Sequence, residues 1–428
     1  MIRRVVFATI IAAAGAGCAR FDARPLDPAA NAARLASRSL SSRTWTLRAL
    51  VDEAVKNQPD VAVARAQYAT ARAAIGTAGA RPNPTVALSP QVVTPWTSWI
   101  AGTYGVDFDW TFETAGKRGG RMAVASAQAN AAAANVVTAE WKARAAVRKA
   151  LLELYAAEQR EALLADANAR QLEVLRLIGE RIKAGAASLL ETSQPRLLGA
   201  QLRLQASDAA RAKAVARASL AEALGMSTSG LDGARFSFTA FEKSPGRHVS
   251  HRRAALTHRA DVLAALSDYA AAEAALRLEV AKQYPDIHLN PGYQLDGGEN
   301  KWALGIGLTL PILNQNKGPI AEAEAKRKEA AAKFNAVQAR VLADCDRAAA
   351  GVAGARAKIA TADEMLAEQG RQIESITRIV AAGEGDRLAV VSAEVERATT
   401  RISRLDAQSE LQAALGALEE ATQMPLEK

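Results

Sequence analysis

The chain has 428 residues, of which 23% are charged and only 5% aromatic, with 54 Lys and Arg against 45 Asp and Glu. Alanine is abundant while leucine and isoleucine are thinly spread, which suits long, closely packed helices better than a thick globular core. The net charge of +9 is spread over both signs along helical stretches, with no basic cluster interleaved with aromatic side chains, so nucleic-acid binding is excluded; no Gly-rich phosphate loop runs into Lys-Ser or Lys-Thr.

Residues 1–17 read as a signal peptide. Arg3 and Arg4 form the positive region, Val5 to Ala14 an apolar core too short to span a bilayer as a helix, and Gly15-Ala16-Gly17 the small residues before a cleavage point. Cys18 follows at once, resembling the acylated cysteine of a bacterial lipoprotein, so residues 18–46 are expected to be an extended segment carrying a lipid anchor at Cys18. The other cysteine, Cys345, falls in the middle of a helix and is expected to be a small packing residue.

From residue 47 the sequence is one pattern written twice, over 47–226 and 254–424, with an equatorial linker at 227–253. Asn57-Gln58-Pro59-Asp60-Val61 answers to His258-Arg259-Ala260-Asp261-Val262, each opening a helix, with His258 at the helix start. Each helix ends near a proline, at Arg81-Pro82 and at Tyr284-Pro285, and a pair of strands follows: about 85–93 and 103–112, then about 286–295 and 302–310. A lysine-glycine turn, Gly116-Lys117 or Lys317-Gly318, then leads into a very long helix. Residues 121–178 contain neither glycine nor proline and would extend ~87 Å as a helix; the counterpart, 320–382, is interrupted only by Gly351, Gly354 and Gly370. The long helices stop at Gly185 and Gly383. The closing helices carry stripes spaced 3, 4, 3, 4, namely Leu190, Ser193, Leu197, Ala200, Leu204 and Leu388, Val391, Val395, Ala398, Ile402, Leu405, each expected to face a neighbouring helix.

The strands alternate with period two. Tyr104, Val106, Phe108, Trp110 and Phe112, and Trp302, Leu304, Ile306, Leu308 and Leu310, form apolar faces with aromatic ends, while Asp107, Asp109, His288, Asn290 and Gln294 fall on the other face. This is the pattern of membrane strands facing lipid on one side and a lumen on the other. Four strands cannot close a barrel, and open edges are not tolerated in hydrocarbon, so several protomers must share one.

The duplication, Asn57-Gln58-Pro59-Asp60-Val61 and Phe112-Glu113-Thr114-Ala115-Gly116-Lys117-Arg118 together resemble the TolC-like outer-membrane efflux family, and the last run is similar to the Glu-Leu-Gly-Gly-Lys-Arg signature of its heavy-metal, CzcC/CusC-like branch. The resemblance implies a mainly α fold with a small β part: internally duplicated long helical hairpins forming a periplasmic tunnel, and four membrane strands per protomer giving a twelve-stranded barrel in a homotrimer. It implies a passive duct in the Gram-negative outer membrane, in contact with its lipid, that docks a periplasmic adaptor and, through it, an inner-membrane pump of the resistance-nodulation-division type, for heavy-metal cations. The docking tips fall at Gly185, Ala186, Ala187, Ser188 and Leu189 and at Gly383, Glu384, Gly385, Asp386 and Arg387. The acidic positions of some members correspond here to Ala389 and Ser392, leaving Glu191, Glu384 and Asp386 as substitutes.

No nucleophile, base and orienting group cluster, so catalysis is not expected. Neither is a resident metal or cofactor: His248 and His251 are three apart but lie among arginines. A duct for drugs, solvents or secreted protein is the rival within the same class, and a periplasmic coiled-coil adaptor or scaffold the rival from another.

Overall fold

The computed structural model describes residues 19–91, 102–242 and 252–425. The signal peptide and Cys18 lie outside the described residues, as do His248 and His251. The elements in chain order are α1 (Pro28–Ala36), β1 (Thr44–Trp45), α2 (Leu47–Asn57), α3 (Pro59–Ala78), β2 (Thr85–Gln91), β3 (Thr103–Phe112), α4 (Lys117–Lys183), α5 (Ser193–Ala223), β4 (Arg235–Phe236), α6 (Thr239–Glu242), α7 (Arg252–His258), α8 (Ala260–Ala281), β5 (Ile287–Asp296), β6 (Glu299–Leu308), α9 (Lys317–Ala381) and α10 (Arg387–Thr422). The series α2 to α5 recurs as α7 to α10.

Two helices dominate. α4 has 67 residues and α9 has 65, each roughly 100 Å at ~1.5 Å per residue. Alanine makes this length packable, since Ala125, Ala129, Ala131, Ala143, Ala150, Ala157 and Ala167 are all buried along α4. α4 packs against α2, α3, α5, α8 and α10, whereas α9 packs against α7, α8 and α10. The glycines of α9 do not break it: Gly351 lies where a Cβ would meet that of Ala414 at 3.6 Å, an ordinary contact with α10.

Both long helices stop in the same way. Gly185 and Gly383 adopt φ of 74° and 83°, a region that suits glycine. Gly185 N donates to Ile182 O and Ala186 N to Arg181 O; Gly383 N donates to Val380 O and Glu384 N to Ile379 O. These paired bonds satisfy the last carbonyls of each helix and reverse the chain into α5 or α10.

The largest core is equatorial. Leu50, Val147, Leu151, Leu154, Leu220, Leu224, Leu231 and Phe241 are buried together, joined by Leu40 and Trp45 from the N-terminal segment. β1 pairs in parallel with β4 and so ties that segment to the linker. Residues 19–46 are therefore not wholly extended: Asp27 accepts hydrogen bonds from Ala29 N and Ala30 N, Pro28 stands at the first helical position, and α1 follows.

Two further expectations are corrected. His258 ends α7, its ring nitrogen in contact with Ala254 O, and α8 begins at Ala260. The second strand of the second pair starts at Glu299, three residues earlier than expected, because Gly297 and Gly298 at φ of 56° and 92° form a two-residue turn that extends the ladder to Asp296 and Glu299. Leu310 then lies beyond the strand, exposed and just before Pro311.

Candidate functional site

β2, β3, β5 and β6 form one antiparallel sheet in that order. The register aligns every apolar set. Val86 faces Phe108, Leu88 faces Val106, Phe112 faces Ile287, Tyr293 faces Trp302, and Leu289 faces Ile306. Residues opposite each other on adjacent strands share a face, so Tyr104, Val106, Phe108, Trp110, Phe112, Trp302, Leu304, Ile306 and Leu308 all stand on one side. That side is bare: Trp302 is 81% exposed, Leu304 67% and Ile306 68%. Trp110 stacks on Phe112 with centroids 5.2 Å apart, and Tyr293 packs on Trp302 at 4.8 Å.

The opposite side is polar and connected. Asp107, Asp109, His288, Asn290 and Gln294 share it with Ser89, Thr111 and Asp296. His288 Nδ1 lies 3.2 Å from Thr111 Oγ1 and 3.2 Å from Asp109 Oδ1. Ser89 Oγ donates to Asp107 Oδ2 at 3.4 Å, and Asp296 accepts from Thr103 Oγ1 at 2.9 Å and Lys301 Nζ at 2.6 Å. Gly292 and Gly105 make room for this layer, because a Cβ at either would meet Asp107 Oδ1 at 2.5 Å or Ser89 Oγ at 2.3 Å.

Where sheet meets helix, the run Phe112–Arg118 acquires a structural explanation. Lys117 is buried, and its Nζ donates to Tyr284 O and Asp286 Oδ1, both at 2.7 Å. Thr114 N donates to the same carboxylate at 2.9 Å, and Thr114 Oγ1 to Pro285 O at 2.6 Å. Glu113 forms a forked ion pair with Arg121, whose guanidinium also donates to Ala78 O and Ala80 O, while Arg118 Nε donates to Gly79 O. One seven-residue run thus pins the ends of α3 and α8 to the start of α4. Glu113 lay within the run that the sequence singles out, but its partner Arg121 and the Lys117–Asp286 pair had no signal there, since Lys117 and Asp286 are 169 residues apart.

Burial alone would raise the Asp286 carboxyl, but the Lys117 ammonium and the Thr114 N–H outweigh it and hold the pKa below the ordinary value. A carboxyl lowered in the folded state stabilises above the ordinary carboxylate range, near about pH 4, and that contribution is lost as pH falls through the lower folded value. Asp286→Asn is therefore expected to flatten the fall of the unfolding midpoint on acidification. A midpoint that falls with pH as steeply as in the unchanged protein would refute the assignment.

At the other end of the long helices, Gly185–Leu189 and Gly383–Arg387 form two exposed tips. Neither Gly185 nor Gly383 has a heavy atom within 4 Å of where a Cβ would stand, so both tips present open backbone. Ser188 and Glu191 form a reciprocal capping box at the head of the second arm. Asp386 accepts from Leu388 N at 2.9 Å and pairs with Arg181 at 3.0 Å, across the two hairpins. Glu191 and Asp386 are thus already engaged locally, while Glu384 is exposed. Higher up, Arg170 pairs with Asp166 and Glu394, and Arg401 lies 3.8 Å from Asp166.

Of the two heptad stripes, only one is covered. Val391, Val395, Ala398 and Leu405 are buried, packed on Val174, Ile178 and neighbouring residues of α4. Leu190, Leu197 and Leu204 are 84%, 54% and 67% exposed. Within the chain the α5 stripe stays exposed because α5 buries its opposite face, Gly199, Leu202 and Ala209, against α4, with Thr192 buried just before it. Among the described residues no helix is long and apolar enough to cross a membrane, and no three metal-ligating side chains converge.

A family described as Outer membrane efflux protein matches residues 50–226 and 252–422. A membrane protein from Pseudomonas aeruginosa shares the fold at TM-score 0.72, with 23% identity over 94% of this chain and 99% of its own. The outer membrane protein VceC from Vibrio cholerae does so at 0.70, with 23% identity over 89% and 97%. The channel protein CusC superimposes at 0.72, with 17% identity over 88% and 91%. No curated protein matches the chain significantly.

Proposed function

The chain belongs to the outer membrane efflux protein family, and from that membership we propose that it is the outer-membrane duct of a tripartite export system, a passive conduit that catalyses nothing. The observation that carries this reading is the sheet, with one face apolar and bare, the other polar and connected, and its outer strands β2 and β6, among the described residues, each paired on one side only. Such a sheet is stable in hydrocarbon only when its edges are paired. A single-chain barrel needs at least about 8 strands, so copies must combine. In the proposed homotrimer three four-stranded sheets give twelve strands, three times four. The polar face then lines the lumen, the apolar face meets lipid, and Cys18 carries the anchor. The long hairpins extend into the periplasm as a tunnel, whose tips receive a periplasmic adaptor and, through it, an inner-membrane pump of the resistance-nodulation-division type.

Heavy-metal cations are the cargo in this reading, supported by the Phe112–Arg118 run. Export of drugs, solvents or secreted protein stands as the second reading, since the sheet and the tips carry no feature that selects a cargo. Disrupting the gene in its host and titrating growth against transition-metal salts and hydrophobic drugs separates them. Selective loss of metal tolerance supports the first, and drug sensitivity alone moves the cargo to the second. A chain that high salt strips from membranes, with neither phenotype, would instead indicate a periplasmic scaffold.

The tips have their own expected result. A Cβ at Gly383 would meet no atom within 4 Å, but tryptophan there is strained at φ of 83°, at roughly 1 kcal/mol. That is too little to unfold so long a hairpin. Gly383→Trp is expected to insert normally, yet lose cross-linking to the adaptor and resistance to the cargo. Full resistance with normal cross-linking would reduce the tips to plain helix stops.

A further inference from the structure

The two repeats close the same joint in different ways. Each closing helix ends on a left-handed residue, Gly225 after α5 and Gln423 after α10, at φ of 67° and 50°. Each of these lies against the residue that separates two consecutive helices, Gln58 between α2 and α3 and Arg259 between α7 and α8. In the second repeat the joint is closed by its own side chains. Arg259 Nη1 donates to Ala421 O at 2.8 Å, its Nε and Nη2 fork onto Asp261, and Gln423 Oε1 accepts from Ala260 N at 2.7 Å. The guanidinium thus sits on the C-terminal end of α10, where backbone carbonyls concentrate negative charge.

The first repeat has neither side chain. Gly225 stands where the second has Gln423, and a Cβ there would lie 3.0 Å from Asn57 O and 3.1 Å from Pro59 Cδ, so a side chain would force the joint apart. Gln58 stands where the second has Arg259, and its Oε1 is taken by Asp60 N and Val61 N at the start of α3. The cation comes instead from the N-terminal segment. Arg38 Nη1 donates to Asn57 O at 2.9 Å and to Gly225 O at 3.1 Å, so one guanidinium bridges the C-terminal ends of α2 and α5. The segment that carries it is fitted in place. Leu40 is buried, its N–H donates to Gly230 O at 2.8 Å, and a Cβ at Gly230 would stand 2.4 Å from Arg38 O, so the chain passes there only over a glycine. Trp45 is buried as well, with Nε1 donating to Ser41 O at 3.0 Å and the Arg43 guanidinium 4.0 Å from its ring centroid. Gly230 and β4, the partners of this segment, both lie in the connection that follows α5.

We infer that residues 38–45 are a releasable clasp on the first joint, in which Arg38 does for α2 and α5, from outside the repeat, what Arg259 does for α10 from within it. The first hairpin is thereby rooted by a segment that can leave without breaking a helix, whereas the second is rooted by its own residues. Displacing the N-terminal segment therefore frees one hairpin of the pair and not the other. The inference stands apart from the duct reading, since it needs no second copy, membrane or cargo.

The test is hydrogen exchange on the full-length protein in detergent, read at both joints of the same molecule. Arg38→Met keeps an apolar stem and removes the charge. It is expected to speed exchange of the amides at the end of α5 and between α2 and α3 by about 10- to 100-fold, the worth of hydrogen bonds to a charged group, and to leave the end of α10 and the α7–α8 boundary unchanged. Arg38→Lys keeps the cation and should restore most of the protection, which a role in packing alone does not explain. Gly230→Ala leaves Arg38 in the chain but pushes on its backbone, and should copy Arg38→Met. Arg259→Met should do the converse, loosening the second joint and sparing the first. Unchanged exchange at the first joint in Arg38→Met would overturn the clasp. So would equal loosening of both joints, which would make the segment a support of the whole equator. Equal loss of protection in Arg38→Lys and Arg38→Met would overturn the bridging role of the charge.

Discussion

Phe108→Lys is expected to abolish assembly in the outer membrane, while Asp107→Lys, one residue away, leaves it largely intact. The two positions occupy opposite faces of β3. Phe108 pairs with Val86 on the bare apolar face, and Asp107 pairs with Ala87 and Gly292 on the polar one. Both sit mid-strand, where depth in the bilayer is greatest. A lysine facing lipid near the midplane costs about 2–4 kcal/mol per strand. A shared barrel repeats that cost in every copy, so three copies would lose about 6–12 kcal/mol, comparable to the whole stability of a protein. Asp107→Lys forgoes only a 3.4 Å hydrogen bond with Ser89 in a wet lumen. The measurement is the fraction of chain recovered as heat-labile oligomer from the outer membrane. Equal recovery of both variants would mean that the two faces of the sheet are misassigned, and with them the lumen.

How far such assignments could be read from sequence depended on the range of the interactions. The alternation in β3 and β6 is local, and the register of the sheet preserves it across all four strands. The start of β6 was misplaced because Gly297-Gly298 looks like a loop; only their paired positive φ values show that the ladder continues to the turn. The length of α4 followed from a stretch without glycine or proline. In α9 the helix runs on through three glycines, of which only Gly351 faces α10, at Ala414. The stripe of α5 was visible as a period, but periodicity does not say which chain covers it. The junction around Lys117 and Asp286 was invisible, since it joins side chains far apart in sequence at a point the fold alone brings together. Residues 19–46 concealed a helix for a different reason: it is only nine residues long and buries none of them, so its clearest sequence mark is the Asp27-Pro28 start.

Glu419→Ala is expected to be the most destabilising single change away from the sheet. Glu419 is 3% exposed on α10. Its carboxylate accepts from Arg144 Nε at 2.6 Å and lies 3.8 Å from Arg148 Nε, both on α4. Arg148 is itself 4% exposed, donates to Gln412 Oε1 at 3.1 Å and lies over the Phe241 ring at 5.5 Å; Gln412 Nε2 in turn donates to Phe241 O at 3.2 Å. Gly416 leaves space for this guanidinium, because a Cβ there would stand 3.2 Å from Arg148 Nε. The cluster therefore joins repeat one, repeat two and the linker at the equator. Arginine stays protonated in proteins, so removing the carboxylate leaves two cations without their shared anion in a poorly hydrated site. Breaking a buried pair in this way costs about 3–5 kcal/mol. Glu419→Gln keeps a carbonyl for Arg144 and should cost less, whereas Arg148→Met with Glu419→Leu removes the most deeply buried cation together with its anion and should recover much of the loss, since Arg144 is part-exposed and reaches water. Denaturant midpoints of the four variants, read at constant slope, give the comparison. If Glu419→Ala fell within about 1 kcal/mol of the unchanged protein, the site would have to be hydrated and the two repeats held at the equator by apolar packing alone.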